Sequence, residues 1–548
     1  MYCIFIPVSF FDTMKWIFFI LILFITLQIQ SQVFFSRVYT VPEDGTGKLN
    51  VWPNYLRAVF PTDSLIYAFG YSADTTYKQI DGTGFFVFNT QGDLLEYYHI
   101  KDSDQYNFFY PEGIHTWDGV TFYTAFNNFY REESILKFNR LTKQQEVLEI
   151  KNSKINNGDI LRSNMIATND GCLVTASDVA IDSTGYNYKI QITKIDTTGK
   201  IKWQTIVGKE PGNTFNNNCL SSYTDDFGNI YAGIGFRDAG VGWKASYQSL
   251  LYKLDFDGNI KKFYGSQLAR EGFCSIYDIA QDKNGWFYLS SNYNLNEPQY
   301  PYANYGHGVI QILDTSLNYK SYINLNYDTT FTSPASLKTF EKIINSNDNN
   351  GFIVGGLVVK DDSIITYIDS FSRFDTSIIT HYVVTIFKIN NNNQIVWRRY
   401  FRIRNGYDHG WLHDLKSFPG GGYLIGAQSF DGLAESFNKP YHLPWLLKVD
   451  DDGCLIPGCD IVGNKDLESK NEIVIYPNPA SNYIILHHSS AEKTHYQIVS
   501  AEGKIIDDFY SYLPDEQIII PMYNYKSGTY FVKAENKKGS SSRLFIKQ

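Results

Sequence analysis

The segment DHGWLHD, residues 408–414, holds side chains that could do chemistry. Asp408, His409 and His413 combine carboxylate and imidazole groups, which bind metal ions or transfer protons in many enzymes. Two histidines four residues apart lie close together on a helix, but about 13 Å apart on a strand. Because the segment enters a predicted strand, a structural role is the stronger interpretation. The three residues remain the candidate catalytic residues. Their active site would lie at the mouth of the central channel of the ring that is predicted below.

Motifs of common catalytic and cofactor-binding families are missing from the sequence. It contains no G-x-S-x-G nucleophile elbow, no H-E-x-x-H zinc helix, no G-x-G-x-x-G segment after a strand and no phosphate-binding P-loop. The acidic segments 255–259 and 450–453 resemble the start of calcium loops, but they lack the distal Glu of an EF-hand and lie where a turn is needed. We therefore predict no metal and no cofactor, and a non-enzymatic role is favoured.

Aromatic residues are frequent in four long predicted loops, 235–248, 292–307, 358–380 and 429–443. Loops on a rigid scaffold often carry binding sites, and aromatic rings beside Asn and Asp suit a sugar ring or a peptide. The alternative is that these rings only pack the loops against each other, because a long loop needs a small core of its own. The candidate ligand-binding residues are Trp243, Tyr300, Tyr302, Tyr305 and Tyr441.

Two sequence signatures that alternate along the chain must position these residues. The first is a polar turn followed by an apolar run, as in DFGNIYAGI (226–234). The second is an apolar run that ends in Asp or Asn before another turn, as in LYKLDFDGNI (251–260). Both signatures occur seven times, and each predicts a β-hairpin. The second signature is marked by Asn89, Asn139, Asp196, Asp255, Asp314, Asn390 and Asp450.

Two hairpins per repeat give four strands per repeat, which is the composition of a β-propeller blade. We therefore predict an all-β chain in which residues 33–460 form a seven-bladed β-propeller. The alternative is a series of separate β-sandwiches. The apolar segment 33–39 is a spare strand, and we expect it to pair into the seventh repeat, where it closes the ring and covers an exposed edge.

The N-terminal residues resemble a secretory signal peptide. Lys15 precedes an apolar run at 16–29, and small and polar residues follow it, which predicts a signal peptide over residues 1–31 with Met14 as an alternative start. No second apolar stretch of membrane-spanning length follows, so the mature chain is predicted to lack a transmembrane segment. A net charge of -9 and a pI near 5.6 argue against a nucleic-acid partner.

The cysteine pattern fits an exported chain. Cys454 and Cys459 lie in GCLIPGC, where Pro457-Gly458 can turn the chain back, so we predict a local disulfide between them. No cysteine spacing in the sequence matches a set of metal ligands.

The composition and the repeat pattern of the sequence change after Cys459. Residues 461–472 are polar and charged and are predicted to be a linker, and residues 473–548 contain short alternating runs that predict a small Ig-like β-sandwich. The motifs YPNPASNYI (476–484), SAEGKII (500–506), SGTYFVKAE (527–535) and RLFIK (543–547) occur here in order. Together they resemble the type A C-terminal sorting domain of type IX secretion cargo proteins.

The resemblance implies a destination for the chain. It implies export by the type IX secretion machinery to the medium or the outer cell surface, and possible attachment to surface lipopolysaccharide. The residues that carry it are Tyr476, Pro477, Asn478, Pro479, Gly503, Gly528 and Tyr530.

The repeated region has three candidate activities. Its aromatic loops favour a binding or adhesion module for a glycan or a peptide. The first alternative is a secreted hydrolase or lyase that uses Asp408, His409 and His413. The second alternative is a purely structural surface protein.

Overall fold

The structure is a computed structural model that describes most of the chain between residues 34 and 548. The described residues are 34–39, 51–74, 80–101, 109–127, 133–150, 163–180, 188–208, 218–238, 246–265, 273–294, 306–325, 339–368, 374–404, 410–431, 441–456, 473–488, 490, 492–511, 513 and 516–548. Every regular element within these ranges is a β-strand, so the predicted all-β fold class is confirmed.

Consecutive strands pair antiparallel into four-stranded units. Unit 1 contains β2 (Val51–Pro61), β3 (Leu65–Asp74), β4 (Ile80–Asn89) and β5 (Leu94–Lys101). Unit 2 contains β6 (Phe109–His115), β7 (Thr121–Asn127), β8 (Glu133–Asn139) and β9 (Gln145–Glu149). Unit 3 contains β10 (Ser163–Ala167), β11 (Cys172–Ala180), β12 (Tyr188–Asp196) and β13 (Ile201–Val207).

The next three units repeat this order. Unit 4 contains β14 (Asn218–Thr224), β15 (Ile230–Asp238), β16 (Ser246–Leu254) and β17 (Ile260–Gly265). Unit 5 contains β18 (Phe273–Gln281), β19 (Phe287–Asn294), β20 (Gly306–Leu313) and β21 (Tyr319–Asn324). Unit 6 contains β22 (Thr339–Asn345), β23 (Phe352–Ile368), β24 (Phe374–Ile389) and β25 (Ile395–Ile403).

Unit 7 takes its outer strand from the other end of the chain. It contains β26 (Gly410–Ser417), β27 (Tyr423–Asp431), β28 (Tyr441–Val449) and β1 (Phe35–Val38). Strand β1 pairs antiparallel with β28 from Phe35 opposite Lys448 to Val38 opposite Trp445. The indole Nε1 of Trp445 also donates to Ser36 Oγ over 2.9 Å. The predicted pairing of segment 33–39 into the seventh repeat is thereby confirmed.

The first strands of the units enclose the centre of a ring. Strand β2 contacts β6, and the series continues through β10, β14, β18, β22 and β26, which contacts β2 again. This closed order makes the arrangement propeller-like. The apolar side chains of adjacent units form the cores between them. Phe85 of unit 1, for example, is fully buried with its ring centroid 4.9 Å from that of Phe122 in unit 2.

The marker residues of the second signature shape the turns between the third and fourth strands. In unit 4, Asp255 Oδ1 accepts hydrogen bonds from the backbone N–H groups of Asp257 (3.1 Å) and Asn259 (2.8 Å). Gly258 in this turn has a φ of 84°, which glycine adopts without strain. Equivalent bonds to the second and fourth residues are made by Asn89, Asp196, Asp314, Asn390 and Asp450. The repeat therefore depends on a local hydrogen-bond pattern.

The C-terminal strands form two sheets. They are β29 (Ile473–Tyr476), β30 (Tyr483–His488), β31 (Thr494–Ser500), β32 (Ile505–Ser511), β33 (Glu516–Pro521), β34 (Gly528–Asn536) and β35 (Gly539–Lys547). One sheet has the order β32-β31-β34-β35, and the other sheet joins β33-β30-β29 to the outer strand β25 of unit 6. The two sheets enclose a common apolar core that includes Ile484, Ile518, Tyr496 and Val532.

Candidate functional site

Irregularities in the first strands position the side chains of the candidate site. The pairing register shifts after Leu56 in β2, after Ile276 in β18, after Phe340 in β22 and after Leu412 in β26. Such a bulge adds one residue to a strand and redirects its side chain. The added residues are Arg57, Tyr277, Glu341 and His413. They occupy equivalent positions in units 1, 5, 6 and 7, so the bulges bring polar side chains to one level of the ring.

His413 is held between unit 7 and unit 1 by both of its ring nitrogens. Its Nδ1 lies 3.1 Å from Nη1 of Arg57, and its Nε2 lies 3.0 Å from Oε1 of Gln428. The arginine can only donate and the amide oxygen can only accept, so Nδ1 is the acceptor and Nε2 carries the proton. The imidazole is 8% exposed and orients the Arg57 guanidinium.

Three rings form a row at this point. The His413 ring stacks on Tyr55 with the centroids 4.7 Å apart, and it lies nearly parallel to Trp411 with the centroids 6.4 Å apart. The indole Nε1 of Trp411 donates to Glu341 Oε1 over 2.9 Å, which fixes the orientation of this ring. The row therefore combines flat apolar surfaces with the guanidinium of Arg57 and the carboxylate of Glu341.

Two aspartates in the first strands of units 5 and 7 link neighbouring units through hydrogen bonds. Asp414 accepts hydrogen bonds from the N–H groups of Leu415 and of Val59 in unit 1. Asp278 accepts the equivalent bonds from Ile279 and from Ile343 in unit 6, and burial raises the pKa of its carboxyl above the ordinary value. These carboxylates join neighbouring units through backbone amides, and each of their oxygens accepts one of those bonds.

The structure accounts for part of the predicted site. It shows His413 in the row of three rings, whereas Asp408, His409, Trp243, Tyr300, Tyr302 and Tyr305 lie outside the described residues. Tyr441 begins β28, and its side chain also lies outside the described part. The sequence interpretation missed Arg57, Gln428 and Glu341. Their equivalent positions in the repeats could have identified Arg57 and Glu341 as neighbours of His413.

The structure describes one of the two cysteines of the predicted disulfide. Cys454 is fully buried, and its backbone N–H donates to Asp450 Oδ1 over 2.6 Å. Cys459 lies outside the described residues, so the pairing stays a prediction, as does the signal peptide. In the described ranges, no three His, Cys, Asp or Glu side chains are placed to hold a metal ion. Those ranges also contain no helix with the length and hydropathy to cross a membrane.

The YPNP motif binds the last strand of the chain. Asn478 Nδ2 donates to the carbonyl of Leu544 over 3.1 Å, and Oδ1 of the same side chain accepts from the N–H of Ile546 over 3.0 Å. Both X-Pro bonds, Tyr476-Pro477 and Asn478-Pro479, are cis. The first and last motifs of the C-terminal segment therefore form one contact.

The other motif residues shape the second sheet. Gly503 has a φ of 84° in the turn between β31 and β32, and its N–H donates to the carbonyl of Ser500 over 2.9 Å. Gly528 begins β34. Tyr530 stacks on Phe545 with the centroids 5.4 Å apart, which joins the third motif to the fourth.

Similarity to known proteins is low over the ring. No curated protein matches the sequence of the chain. An α-L-arabinanase from Penicillium chrysogenum in complex with arabinobiose is 11% identical, with a TM-score of 0.39, over 59% of this chain and 94% of that chain. A protein of unknown function from Dyadobacter fermentans is 10% identical, with a TM-score of 0.35, over 75% of this chain and 97% of that chain. These identities and TM-scores are too low for the activity of either protein to be assigned to this chain.

The C-terminal segment matches a known family in the region where the four motifs meet. The family model described as secretion system C-terminal sorting domain matches residues 474–548. This segment is a type IX sorting domain, and it shows that the protein is exported to the outer cell surface or secreted.

Proposed function

We propose that the ring is a binding module for a glycan or a peptide, with its ligand site beside the row Tyr55–His413–Trp411. The observation that supports this most directly is that both nitrogens of His413 are occupied by Arg57 and Gln428. A histidine held in this way orients its neighbours, and it has no lone pair left to act as a base.

The chemistry of the row suits ligand binding. Aromatic faces pack against the apolar faces of sugars or against aromatic and aliphatic peptide side chains. The guanidinium of Arg57 presents several N–H donors in a plane, which suits hydroxyl or carboxylate oxygens. The half-buried Tyr55, Arg57 and Trp411 supply both kinds of contact from two adjacent units. Their positions are held by the stacking and hydrogen bonds around His413, so the site is formed before a ligand arrives.

A specific observation also supports the enzymatic alternative. Glu341 places a carboxylate 2.9 Å from the indole nitrogen of Trp411. Hydrolysis of a glycosidic bond usually needs two carboxylates, one as acid and the other as base or nucleophile. In this alternative Glu341 would supply one of them and Asp408 the other.

The experiment compares two tryptophans of the full-length protein on glycan and peptide arrays. We expect Trp411→Ala to lose at least about tenfold in affinity, because it removes a stacking face. The matched control is Trp286→Ala, since Trp286 is 37% exposed and lies in a hairpin turn of unit 5. Equal binding by the two variants, with unchanged thermal unfolding, would contradict the proposal. Turnover of a polymer that is abolished by Glu341→Gln would establish the enzymatic alternative instead.

A further inference from the structure

We propose that the sorting domain is a bound partner of the ring, held by a non-covalent interface that survives cleavage of the chain between them. The docking interface has two sides. The ring contributes β25 of unit 6 and residues 453–456, which follow β28 of unit 7, and the sorting domain contributes β33 and β30. The ring side is an interaction surface whose partner is the sorting domain of the same chain.

Backbone pairing forms the first part of the docking interface. Strand β33 pairs parallel with β25 from Tyr400 opposite Glu516 to Ile403 opposite Ile519. The N–H of Arg404 continues this pairing by donating to the carbonyl of Ile519 over 2.8 Å. A sheet edge is a template for another strand, and here the sorting domain satisfies the hydrogen-bonding groups of unit 6.

A buried ion pair sets the register of the pairing. The side chains of Arg402 and Glu516 are 1% and 2% exposed, and Nε of Arg402 lies 2.9 Å from Oε1 of Glu516. Arg402 also donates to the carbonyl of Tyr510, and Glu516 accepts from the hydroxyl of Ser511. A shift of the strands by one residue would leave both charges buried without a partner, which is strongly unfavourable.

A glutamine of the sorting domain recognises the last turn of the ring. Gln517 Oε1 accepts from the backbone N–H of Leu455 over 2.7 Å, and Gln517 Nε2 donates to the carbonyl of Gly453 over 3.2 Å. Gln517 is fully buried. It binds unit 7 while its own strand pairs with unit 6, so the sorting domain spans two units.

Apolar side chains from both sides share one core. Ile485 and Ile519 of the sorting domain are 0% and 3% exposed and pack with Phe401, Leu455 and Ile456 of the ring. The opposite face of the same strands packs against the second sheet of the sorting domain. The interface thus has an apolar centre, directed hydrogen bonds and a satisfied ion pair, which are the components of a stable protein–protein interface.

The experiment cuts the full-length protein between the two parts. A protease recognition sequence replaces part of the predicted linker 461–472, and cleavage is verified on a denaturing gel. Size-exclusion chromatography under native conditions then follows at micromolar concentration. We expect the two pieces to elute together at the mass of one chain.

A pair of matched variants links retention to the docking interface. Gln517→Ala should speed the separation of the cut pieces about tenfold or more, because it leaves two buried backbone groups without partners. Gln497→Ala should leave the rate unchanged, because Gln497 is a half-buried residue of β31 whose amide donates to Asp508. Separation of two folded pieces in the unsubstituted protein would overturn the proposal. Elution at twice the expected mass would also contradict it, by showing that the sorting domain of a second copy occupies the interface.

Discussion

The outer strands of unit 4 and unit 6 occupy the same position in the repeat and have opposite surroundings. Strand β17 of unit 4 is largely exposed, with Phe263 57% and Ile260 47% accessible, and it carries Lys261 and Lys262. The last five residues of β25 in unit 6 are buried, and β33 of the sorting domain pairs with this strand. Lysines on a sheet edge oppose pairing with another strand, whereas arginine suits a buried ion pair. One repeat position can therefore either end a sheet or continue it into another domain.

The aspartates of two equivalent turns show the same contrast in their electrostatics. In unit 4, Asp255 lies 2.7 Å from Lys261, and this partner holds the pKa of the carboxyl well below its ordinary value. In unit 7, Asp450 has Ile456 at the position equivalent to that lysine, and burial raises the pKa of Asp450 to about 6. The turn geometry is the same in both places, so the neighbouring residues and the extent of burial decide whether the pKa of the carboxyl falls or rises.

The largest expected effect comes from a substitution in β25, the outer strand that pairs with the sorting domain. Arg402→Ala leaves Glu516 buried without its counter-charge, so we expect the free energy of unfolding of the sorting domain with unit 6 to fall by about 3–5 kcal/mol. Lys261→Ala on the exposed edge of unit 4 is the matched control and should cause no measurable change. Urea unfolding of the full-length proteins checks both variants. Equal midpoints for the two variants would show that the ion pair does not hold the edge.

A histidine in the covered region gives the second prediction. His487 is 2% exposed, and burial together with Arg399 lowers the pKa of its imidazole to about 4. The folded protein binds this proton less tightly than the unfolded chain, so stability is present above pH 6.5 and is lost as the pH falls toward 4. The lowering of the His487 pKa from 6.5 to about 4 corresponds to about 3 kcal/mol in the free energy of unfolding.

Urea midpoints measured between pH 7 and pH 4 test this dependence. His487→Leu should flatten the curve over that range, because the titrating group is gone. His495→Gln serves as the control, since His495 is half-buried beside Asp508, outside the docking interface. A curve for His487→Leu that still falls as steeply as that of the unsubstituted protein would assign the acid sensitivity to other groups.

The third prediction sharpens the comparison of the two turns. The raised pKa of Asp450 means that its contribution to stability is full below pH 4 and is lost as the pH rises through 6. Asp450→Asn keeps the turn acceptor, as Asn390 does in unit 6, and removes the charge. After allowance for partial solvent screening, we expect a gain of about 1 kcal/mol at pH 7.

Asp255→Asn is the control for this prediction, because it removes the partner of Lys261 and should not stabilise the protein. Thermal unfolding at pH 7 distinguishes the two substitutions. Stabilisation by both of them would mean that burial of Asp450 and the lysine partner of Asp255 do not explain the difference between the two turns.

The smallest expected effect lies at the margin of the docking interface. Arg404 pairs with Asp507 over 3.2 Å, and both side chains are 23% exposed. Solvent weakens such a pair, so Arg404→Ala should cost only about 0.5 kcal/mol in the urea experiment. A loss as large as that of Arg402→Ala would show that burial is not what separates the two ion pairs.

Features that depend on residues close together in the chain, and the pairing of the strand that the repeat pattern left over, were predictable from the sequence. The turns follow from Asp or Asn followed by a flexible residue such as Gly258, because the side-chain oxygen binds the backbone of its own turn. The pairing of 33–39 was predictable because an apolar strand was left over and the last repeat lacked one. The sorting motifs were recognisable because their residues occur in a set order.

The candidate site was predictable only in part. His413 was named from its own segment, but Arg57 is 356 residues away along the chain. No pattern within either segment links these two side chains, and only the alignment of the repeats could have done so. They meet because the ring brings the first and last units together and because both strands have a bulge at the same level.

The sequence by itself therefore determined the turns, the alternation of the strands, the number of strands in each repeat and the sorting motifs at the C-terminus. Hydrogen bonds and burial over a few residues specify these features. Only the tertiary structure decided that β25 is a covered edge, that Arg402 meets Glu516 and that His413 holds Arg57. These contacts join residues that are far apart in the chain. Their free energy depends on how completely the surrounding units exclude water, and that condition exists only once the ring and the sorting domain are packed together.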